Sequence, residues 1–247
     1  MIHCISVENM RSSDANTIAN FVPGLELMYR AAEGVYKAVD WHGRIAILAG
    51  SGNNGGDGYA LACILKEQGL DCAVFTLGSR LSEDSLHYMQ IAREMGVPIQ
   101  PFDQNRGLTG YDFAVDCLLG TGFRGSIRAD YRAAIEAINN SGAFVVSVDI
   151  NSGMNGDTGE ADIAVHSDVT VTIGYVKDGL ITKAAGEYMK KLICADIGIR
   201  LAQTENYICS PEEWLEFCGR NQLDSSKTSA IISGHAYSLA PEWFVFS

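Results

Sequence analysis

Three glycine-rich stretches carry the side chains of this chain that are best suited to chemistry. The first covers residues 50–58, reads GSGNNGGDG and follows an apolar run at residues 44–49. Glycine lets the backbone approach a ligand closely, and a helix that begins at such a loop offers N–H groups to a phosphate. Its opening fits the G-x-G-x-x-G pattern of dinucleotide-binding loops, which alone is a weak indication. Its amide and acid side chains exceed what a tight turn needs, so we expect it to bind a ligand.

The other two stretches each follow an acidic residue near the end of an apolar run. Residues 120–127 follow Asp116, and residues 151–159 follow Asp149. A carboxylate in this position is costly to bury unless it is paired, hydrogen-bonded or bound to a cation. Both acids are therefore candidates for acid–base catalysis or cation binding. The alternative for each is a structural carboxylate that accepts hydrogen bonds from loop N–H groups. Arg124 adds positive charge that suits an anion.

The hydrophobic pattern places these stretches at the ends of parallel strands. Apolar runs that alternate with helices of 10–15 residues predict an α/β fold with helices on both faces of a mostly parallel sheet. Ligands bind beyond the carboxyl ends of the strands in such sheets. The predicted strands are residues 44–49, 72–77, 97–100, 113–119, 144–150, 169–173 and 192–196. The predicted helices are residues 7–40 with a break at Pro23-Gly24, 58–68, 82–95 and 130–140, and a short helix capped at Ser210.

Composition and charge exclude several classes of protein. The chain of 247 residues is 47% apolar and 19% charged, which is typical of a globular protein. Its net charge of −12 argues against binding to nucleic acid or an anionic membrane. Seven scattered cysteines without a C-x-x-C motif indicate a reducing compartment. Neither a signal peptide nor a membrane-spanning run is evident, so we expect a cytoplasmic protein. Isolated histidines and many oxygen ligands favour an alkali or alkaline-earth cation over zinc.

Four segments together resemble the signature blocks of the NAD(P)HX epimerase family, the YjeF N-terminal-like domain. They are AGSGNNGGDGYALACIL, DCLLGTGFRGSI, VVSVDINSGMNGDTGE and VTIGYVKDGL, and the resemblance covers roughly residues 5–200. It implies a Rossmann-like three-layer αβα sandwich with a mostly parallel central sheet, commonly as a homodimer. The chain departs from the family at Asn151, where proline is frequent, and at Tyr29 and Ala32, where glutamate and glycine are frequent.

The resemblance also implies an activity. Family members interconvert the R and S forms at C6 of the hydrated nicotinamide ring in NADHX and NADPHX, and a dehydratase specific for the S form then restores the nucleotide. The damaged dinucleotide is the substrate, so no redox cofactor is expected, whereas one K⁺ per subunit is. Inversion at C6 can proceed by loss and return of the hydroxyl or by ring opening and closure. Both routes need a proton donor and a proton acceptor beside the carbon.

Site residues follow from the same resemblance. Asp149 matches the acid that contacts substrate and is our candidate acid–base catalyst. The predicted substrate-binding residues are Asn53, Asn54, Gly55, Gly56, Asp57, Gly120, Thr121, Gly122, Phe123, Arg124, Gly125, Ser126, Asp149 and Lys177. Asn54, Asp116 and Ser152 match the family's potassium ligands.

Two further expectations concern the ends of the domain and the alternatives to catalysis. Residues 1–206 are predicted to form the epimerase domain, and residues 207–247 a C-terminal extension that resembles a remnant linker to a fused dehydratase. A non-catalytic nucleotide- or protein-binding module on the same fold is the alternative, and joint retention of Asn54, Asp116 and Asp149 argues against it. A dehydrogenase is disfavoured because no acid follows the second strand at the ribose-binding position.

Overall fold

An eight-stranded parallel sheet forms the centre of the protein in a computed structural model, which describes residues 1–78, 80–105 and 107–246. The strands are β1 Ile2–Ile5, β2 Arg44–Ala49, β3 Asp71–Thr76, β4 Ile99–Pro101, β5 Phe113–Cys117, β6 Phe144–Val148, β7 Val169–Ile173, β8 Val176–Lys177, β9 Leu192–Ala195, β10 Asn206–Cys209, β11 Ser229–Ile232, β12 His235–Leu239 and β13 Phe244–Val245. The helices are α1 Val7–Asn20, α2 Gly24–Ala38, α3 Asn53–Glu67, α4 Glu83–Glu94, α5 Ala129–Asn139 and α6 Pro211–Asn221.

The central sheet has the order β13-β9-β7-β6-β5-β2-β3-β4, and all of these neighbours pair in parallel. Alternate residues of β2 point into two apolar clusters. Ile45 and Ile47 pack with α2, α3 and α4, whereas Ala46 and Leu48 pack with α5. Both faces of the sheet are therefore covered, which explains why its strands are uninterrupted apolar runs. This confirms the predicted three-layer αβα sandwich.

The sheet order brings the three glycine-rich stretches to one edge. β6, β5 and β2 are neighbours, and Ala49 at the end of β2 lies in register with Cys117 at the end of β5. The stretch after each strand therefore leaves the sheet beside the other two. This is the position at which parallel α/β sheets bind ligands.

Helix α3 begins at Asn53, and the prediction of a start near Gly58 was wrong. Glycines 55 and 56 lie in the first turn of the helix rather than in a loop. A Cβ at Gly55 would lie 2.0 Å from the carbonyl oxygen of Gly50, and one at Gly50 would lie 1.9 Å from the carbonyl oxygen of Leu118. The helix and the strand ends are therefore so close that side chains are excluded, and glycine serves close packing here.

A second, five-stranded sheet has the order β11-β12-β10-β1-β8 and joins the two ends of the described chain. β1 pairs antiparallel with β10, with Ile2 opposite Ile208. α6 starts with a capping box between Ser210 and Glu213, which confirms the predicted cap. The predicted boundary after residue 206 falls inside β10.

Over the described ranges, each helix is too short or too polar to cross a lipid bilayer.

Candidate active site

A cavity of about 580 Å³ opens at the carboxyl ends of β2, β5 and β6. Among the predicted substrate-binding residues, those that line it are Asn53, Asn54, Asp57, Gly120, Thr121, Gly122, Phe123, Arg124 and Asp149. Gly55 and Gly56 are buried in the first turn of α3, and Gly125 and Ser126 are exposed outside the lining. The structure thus brings the first two stretches and the strand-end acid Asp149 to one cavity.

Asp149 ends β6 in a left-handed backbone conformation, with φ of 70°. This conformation is uncommon for a residue other than glycine and is typical of functional positions. The Asp149 N–H still donates to the carbonyl oxygen of Val171 at 2.8 Å, so the turn remains anchored to β7. Oδ2 accepts a hydrogen bond from the Thr121 N–H at 3.2 Å. The turn therefore directs the carboxylate towards the second glycine-rich stretch and the cavity.

Lys177 lies behind Asp149 and is fully buried. Its ammonium donates to Asp149 Oδ1 at 2.5 Å, to Thr172 Oγ1 at 3.0 Å and to the carbonyl oxygen of Ile173 at 2.8 Å. All three N–H bonds of the ammonium are therefore used within the protein. Lys177 does not line the cavity, which differs from the expectation that it contacts substrate directly. The cause is that its ammonium is directed to Asp149 and to Thr172 and Ile173 of β7.

The carboxylate of Asp116 is completely buried and accepts several hydrogen bonds. The donors are Ser152 N–H at 2.8 Å, Ser152 Oγ at 2.5 Å, Ser147 Oγ at 3.0 Å and Leu118 N–H at 3.2 Å. Burial raises the pKa of Asp116, and these hydrogen bonds act in the opposite direction. Asp116 therefore ties the end of β5 to the stretch that follows β6, and it does not itself line the cavity.

Asn54 has a buried side chain whose amide oxygen and nitrogen both lack a hydrogen-bond partner among the described residues. Leaving such a group unpaired costs roughly 1–3 kcal/mol. Asn54 and Asp149 both lie beside Gly120. A Cβ added at Gly120 would be 3.3 Å from Asn54 Cβ and 3.0 Å from Asp149 Oδ2, so Asn54 is close to the catalytic candidate. An unpaired amide next to the cavity indicates that a ligand or ion completes this site.

Two charged residues of α1 that line the cavity, Asp14 and Arg11, were not predicted as site residues from the sequence. Asp14 is half-buried, and burial and then the charge of Asp149 raise its pKa, against the effect of Lys177. Arg11 donates to the carbonyl oxygen of Thr121 at 3.2 Å. Met10 and Thr17 lie one helical turn before and after Asp14, and both are buried. The spacing of Asp14 from the apolar Met10 was therefore the available sequence signal that Asp14 lies on the inner face of α1.

Within the described chain, no group of three or more histidine, cysteine, aspartate or glutamate side chains is arranged to hold a metal ion.

The fold and the cavity define a Rossmann-like α/β protein with an acidic site at the carboxyl ends of its central strands. Residues 24–179 match the family described as YjeF-related protein N-terminus. The chain belongs to this family, as the signature blocks predicted.

Relatives with assigned names cover the chain to different extents. The chain is 34% identical over 247 residues to the bifunctional NAD(P)H-hydrate repair enzyme Nnr of Archaeoglobus fulgidus, a match that covers 96% of this chain and 51% of the relative. It is 36% identical over 200 residues to the NAD(P)H-hydrate epimerase of Limosilactobacillus fermentum, covering 78% of this chain and 95% of that protein. The chain therefore spans about half the length of the bifunctional relative.

A solved structure supports the fold. The crystal structure of the yeast protein ynu0 matches with a TM-score of 0.65 at 23% identity, covering 71% of this chain and 82% of the yeast chain.

Proposed function

We propose that the protein is an NAD(P)H-hydrate epimerase, an isomerase that interconverts the R and S forms of NADHX and NADPHX. The observation that carries this proposal is the Asp149 carboxylate, which is held by a buried ammonium at the wall of a cavity built from the family's signature blocks. The names of the relatives from Limosilactobacillus fermentum and Archaeoglobus fulgidus support the same activity.

In this proposal, Asp149 acts on the C6 centre of the substrate. C6 bears a hydroxyl group and adjoins the ring nitrogen, so inversion passes through a species with positive charge at nitrogen or through an opened ring. Asp149 Oδ1 accepts a hydrogen bond from the Lys177 ammonium. The carboxylate can accept a proton in either route and can stabilise positive charge that develops on the ring. Lys177 fixes the direction of this carboxylate.

The substrate's phosphate groups have two sources of binding energy at the cavity. The first N–H groups of α3 have no acceptor within the helix, and the helix N-terminus favours an anion. Arg11 and Arg124 line the same cavity and provide positive charge in an otherwise acidic protein. These groups suit a dinucleotide better than an uncharged substrate.

The potassium ion that the family resemblance implies would be held by Asn54, Asp116 and Ser152. Asn54 offers an unpaired, buried amide oxygen, and Asp116 and Ser152 offer further oxygen donors. Oxygen ligands suit an alkali cation. The bound ion would supply a positive charge that offsets the burial of Asp116 and holds the first and second stretches together.

We also propose a homodimer that works in the cytoplasm beside an NAD(P)HX dehydratase. Exposed apolar side chains at the junction of α1 and α2, Ile18, Phe21 and Tyr29, offer a surface for self-association. Six of the described cysteines are free thiols, which suits a reducing compartment: Cys4, Cys63, Cys72, Cys117, Cys209 and Cys218. Bifunctional relatives support the dehydratase partner. Because the match to the Archaeoglobus relative covers 96% of this chain, it extends into residues 207–247, the proposed connecting segment.

A coupled assay tests the proposed function. A dehydratase specific for the S form is added to a mixture of (R)- and (S)-NADHX, and recovery of NADH is followed by its absorbance. Alone, the dehydratase should stop when the S form is consumed; with this protein present, recovery should continue until the R form is consumed as well. Asp149→Asn should abolish this second phase, and Asp162→Asn, which removes an exposed carboxylate, should preserve it. Recovery that stops at the S form with the wild-type protein would refute the proposal.

A further inference from the structure

Two carboxyl groups that line the cavity have opposite surroundings. Asp149 receives hydrogen bonds on both oxygens, from the Lys177 ammonium and from the Thr121 N–H. No hydrogen bond or ion pair joins the carboxyl group of Asp57 to another residue that the structure describes, although Asp57 lines the same cavity. Asp57 also lies in the second turn of α3, beyond the free N–H groups that stabilise an anion at a helix start.

The charges around Asp57 favour its neutral form. Burial raises the pKa of Asp57 well above its usual range, and the charges of Asp149 and then Asp14 act in the same direction, whereas Lys177 opposes them. On β5, burial raises the pKa of the Cys117 thiol, and the charges of Asp116 and then Asp57 act in the same direction. Asp84, Arg11 and Arg124 also line the cavity, and neither arginine forms an ion pair with Asp57.

We propose that Asp57 is a second catalytic residue, a carboxylic acid that donates a proton to the substrate while Asp149 serves as the base. This inference rests on the proposed epimerase function and assigns the proton donor that the chemistry requires. Two carboxyl groups whose environments favour different protonation states are a recurring solution to acid–base catalysis at one site.

The reaction balances with these two groups alone. Asp57 gives its proton to the C6 hydroxyl oxygen, the C6–O bond breaks with its electron pair on the departing water, and the ring nitrogen lone pair forms a C6=N double bond. Water then adds to the opposite face of C6, the C=N electron pair returns to nitrogen, and the surplus proton passes to Asp149. The product has the atoms of the substrate with C6 inverted. Proton return from Asp149 to Asp57 through water restores the starting state, and the reverse reaction uses the same groups with exchanged roles.

Asp57→Asn tests the donor directly. It removes the acidic proton from a group of nearly the same shape, so kcat for conversion of (R)-NADHX should fall by about 10²–10⁴-fold with little change in KM. The wild-type rate should decline at alkaline pH as Asp57 loses its proton, and this alkaline decline should be missing from the residual rate of Asp57→Asn. Asp57→Glu should recover part of kcat. In ¹⁸O-enriched water, the wild-type product should gain the solvent oxygen at C6.

Controls separate a catalytic role from a structural one. Asp162→Asn should leave the kinetics unchanged, and thermal unfolding should show that Asp57→Asn is folded. If Asp57→Asn keeps wild-type kcat, or keeps the alkaline decline, Asp57 is not the donor. A loss with Asp14→Asn and not with Asp57→Asn would assign the role to Asp14 and overturn the proposal. If Asp57→Asn does not fold, the pH dependence of the wild-type rate decides instead. A wild-type rate that does not decline at alkaline pH would overturn the assignment of Asp57 as the donor.

Failure of the inference differs from failure of the proposed function. An active wild-type protein that needs Asp149 but not Asp57 refutes only the assignment of the donor. An inactive wild-type protein refutes the epimerase itself, and the assignment falls with it.

Discussion

The Lys177 ammonium lies 2.5 Å from Asp149 Oδ1, and the lysine side chain has no exposed surface while that of Asp149 is 13% exposed. The pair connects the catalytic candidate at the end of β6 to β8, and through β8 to the N-terminal strand β1. Asp149 therefore depends on a residue that is far away in sequence and hidden from the cavity. Lys177 thus orients the proposed base from outside the cavity, while Asp149 itself lines the cavity.

Loss of one member of this pair should destabilise the protein more than loss of both. Lys177→Met leaves a carboxylate without its cation, and Asp149→Asn leaves a buried ammonium without its anion. Each change is expected to lower the free energy of unfolding by about 3 kcal/mol or more. The double variant should recover about 1–3 kcal/mol of the summed loss, as measured by urea unfolding in a double-mutant cycle. Additive losses would show that the two residues do not interact.

Asp57→Asn should stabilise the protein at neutral and alkaline pH while it reduces activity. Because the pKa of Asp57 is raised in the folded state, the folded protein binds this proton more tightly than the unfolded chain does. The stabilising contribution of Asp57 is thus present at acidic pH and lost as the pH rises through its folded-state pKa. The Tm of the variant relative to wild type should therefore increase with pH, and its free energy of unfolding should gain on the order of 1 kcal/mol. A difference in Tm that is independent of pH would contradict this.

Gly55 and Gly52 form a matched pair for the close packing of α3. A Cβ at Gly55 would lie 2.0 Å from the carbonyl oxygen of Gly50, whereas one at Gly52 would meet no atom within 4 Å. Gly55→Ala is expected to lower the free energy of unfolding by about 1–3 kcal/mol, because backbone has to move. Gly52→Ala should change it by less than about 0.5 kcal/mol. Equal effects in chemical denaturation would show that α3 does not pack as closely as described.

Potassium should stabilise the protein through Asn54. Wild-type Tm should be higher in potassium chloride than in N-methylglucamine chloride of the same ionic strength. A ligand at a hundredfold excess over its Kd adds about 2.7 kcal/mol of stability. Asn54→Ala removes the unpaired amide oxygen and should abolish the difference between the two salts. A potassium effect of equal size in the variant would place the ion elsewhere.

Much of the fold could be predicted because burial on both faces leaves a strong mark on the sequence. β2, β5 and β6 are almost entirely buried and read as continuous apolar runs. Once they are recognised as parallel strands, the following stretches must share one edge of the sheet. The start of α3 could not be predicted in the same way, because glycines usually end a helix and only the packed structure shows what they accommodate.

The residues that sequence reasoning misplaced depend on contacts between distant segments. Lys177 forms an ion pair with Asp149, which is 28 residues earlier in the sequence, and no local pattern reports that contact. Asp14 was missed because the buried face of α1 includes Asn9, Ser13 and Thr17, so the helix lacks a clear apolar stripe. The strands after residue 221 were not predicted because β11 and β12 are half-exposed and carry no strong alternation.

The most direct test of the proposed activity is the epimer ratio itself. Pure (R)-NADHX is incubated with the protein in potassium buffer, and the two epimers are separated by chromatography at successive times. The wild-type protein should bring the mixture to its equilibrium ratio far faster than buffer alone, and Asp149→Asn should not exceed the buffer rate. A wild-type protein that is folded, binds potassium and leaves the R form at the buffer rate would contradict the epimerase and favour a binding module on this fold.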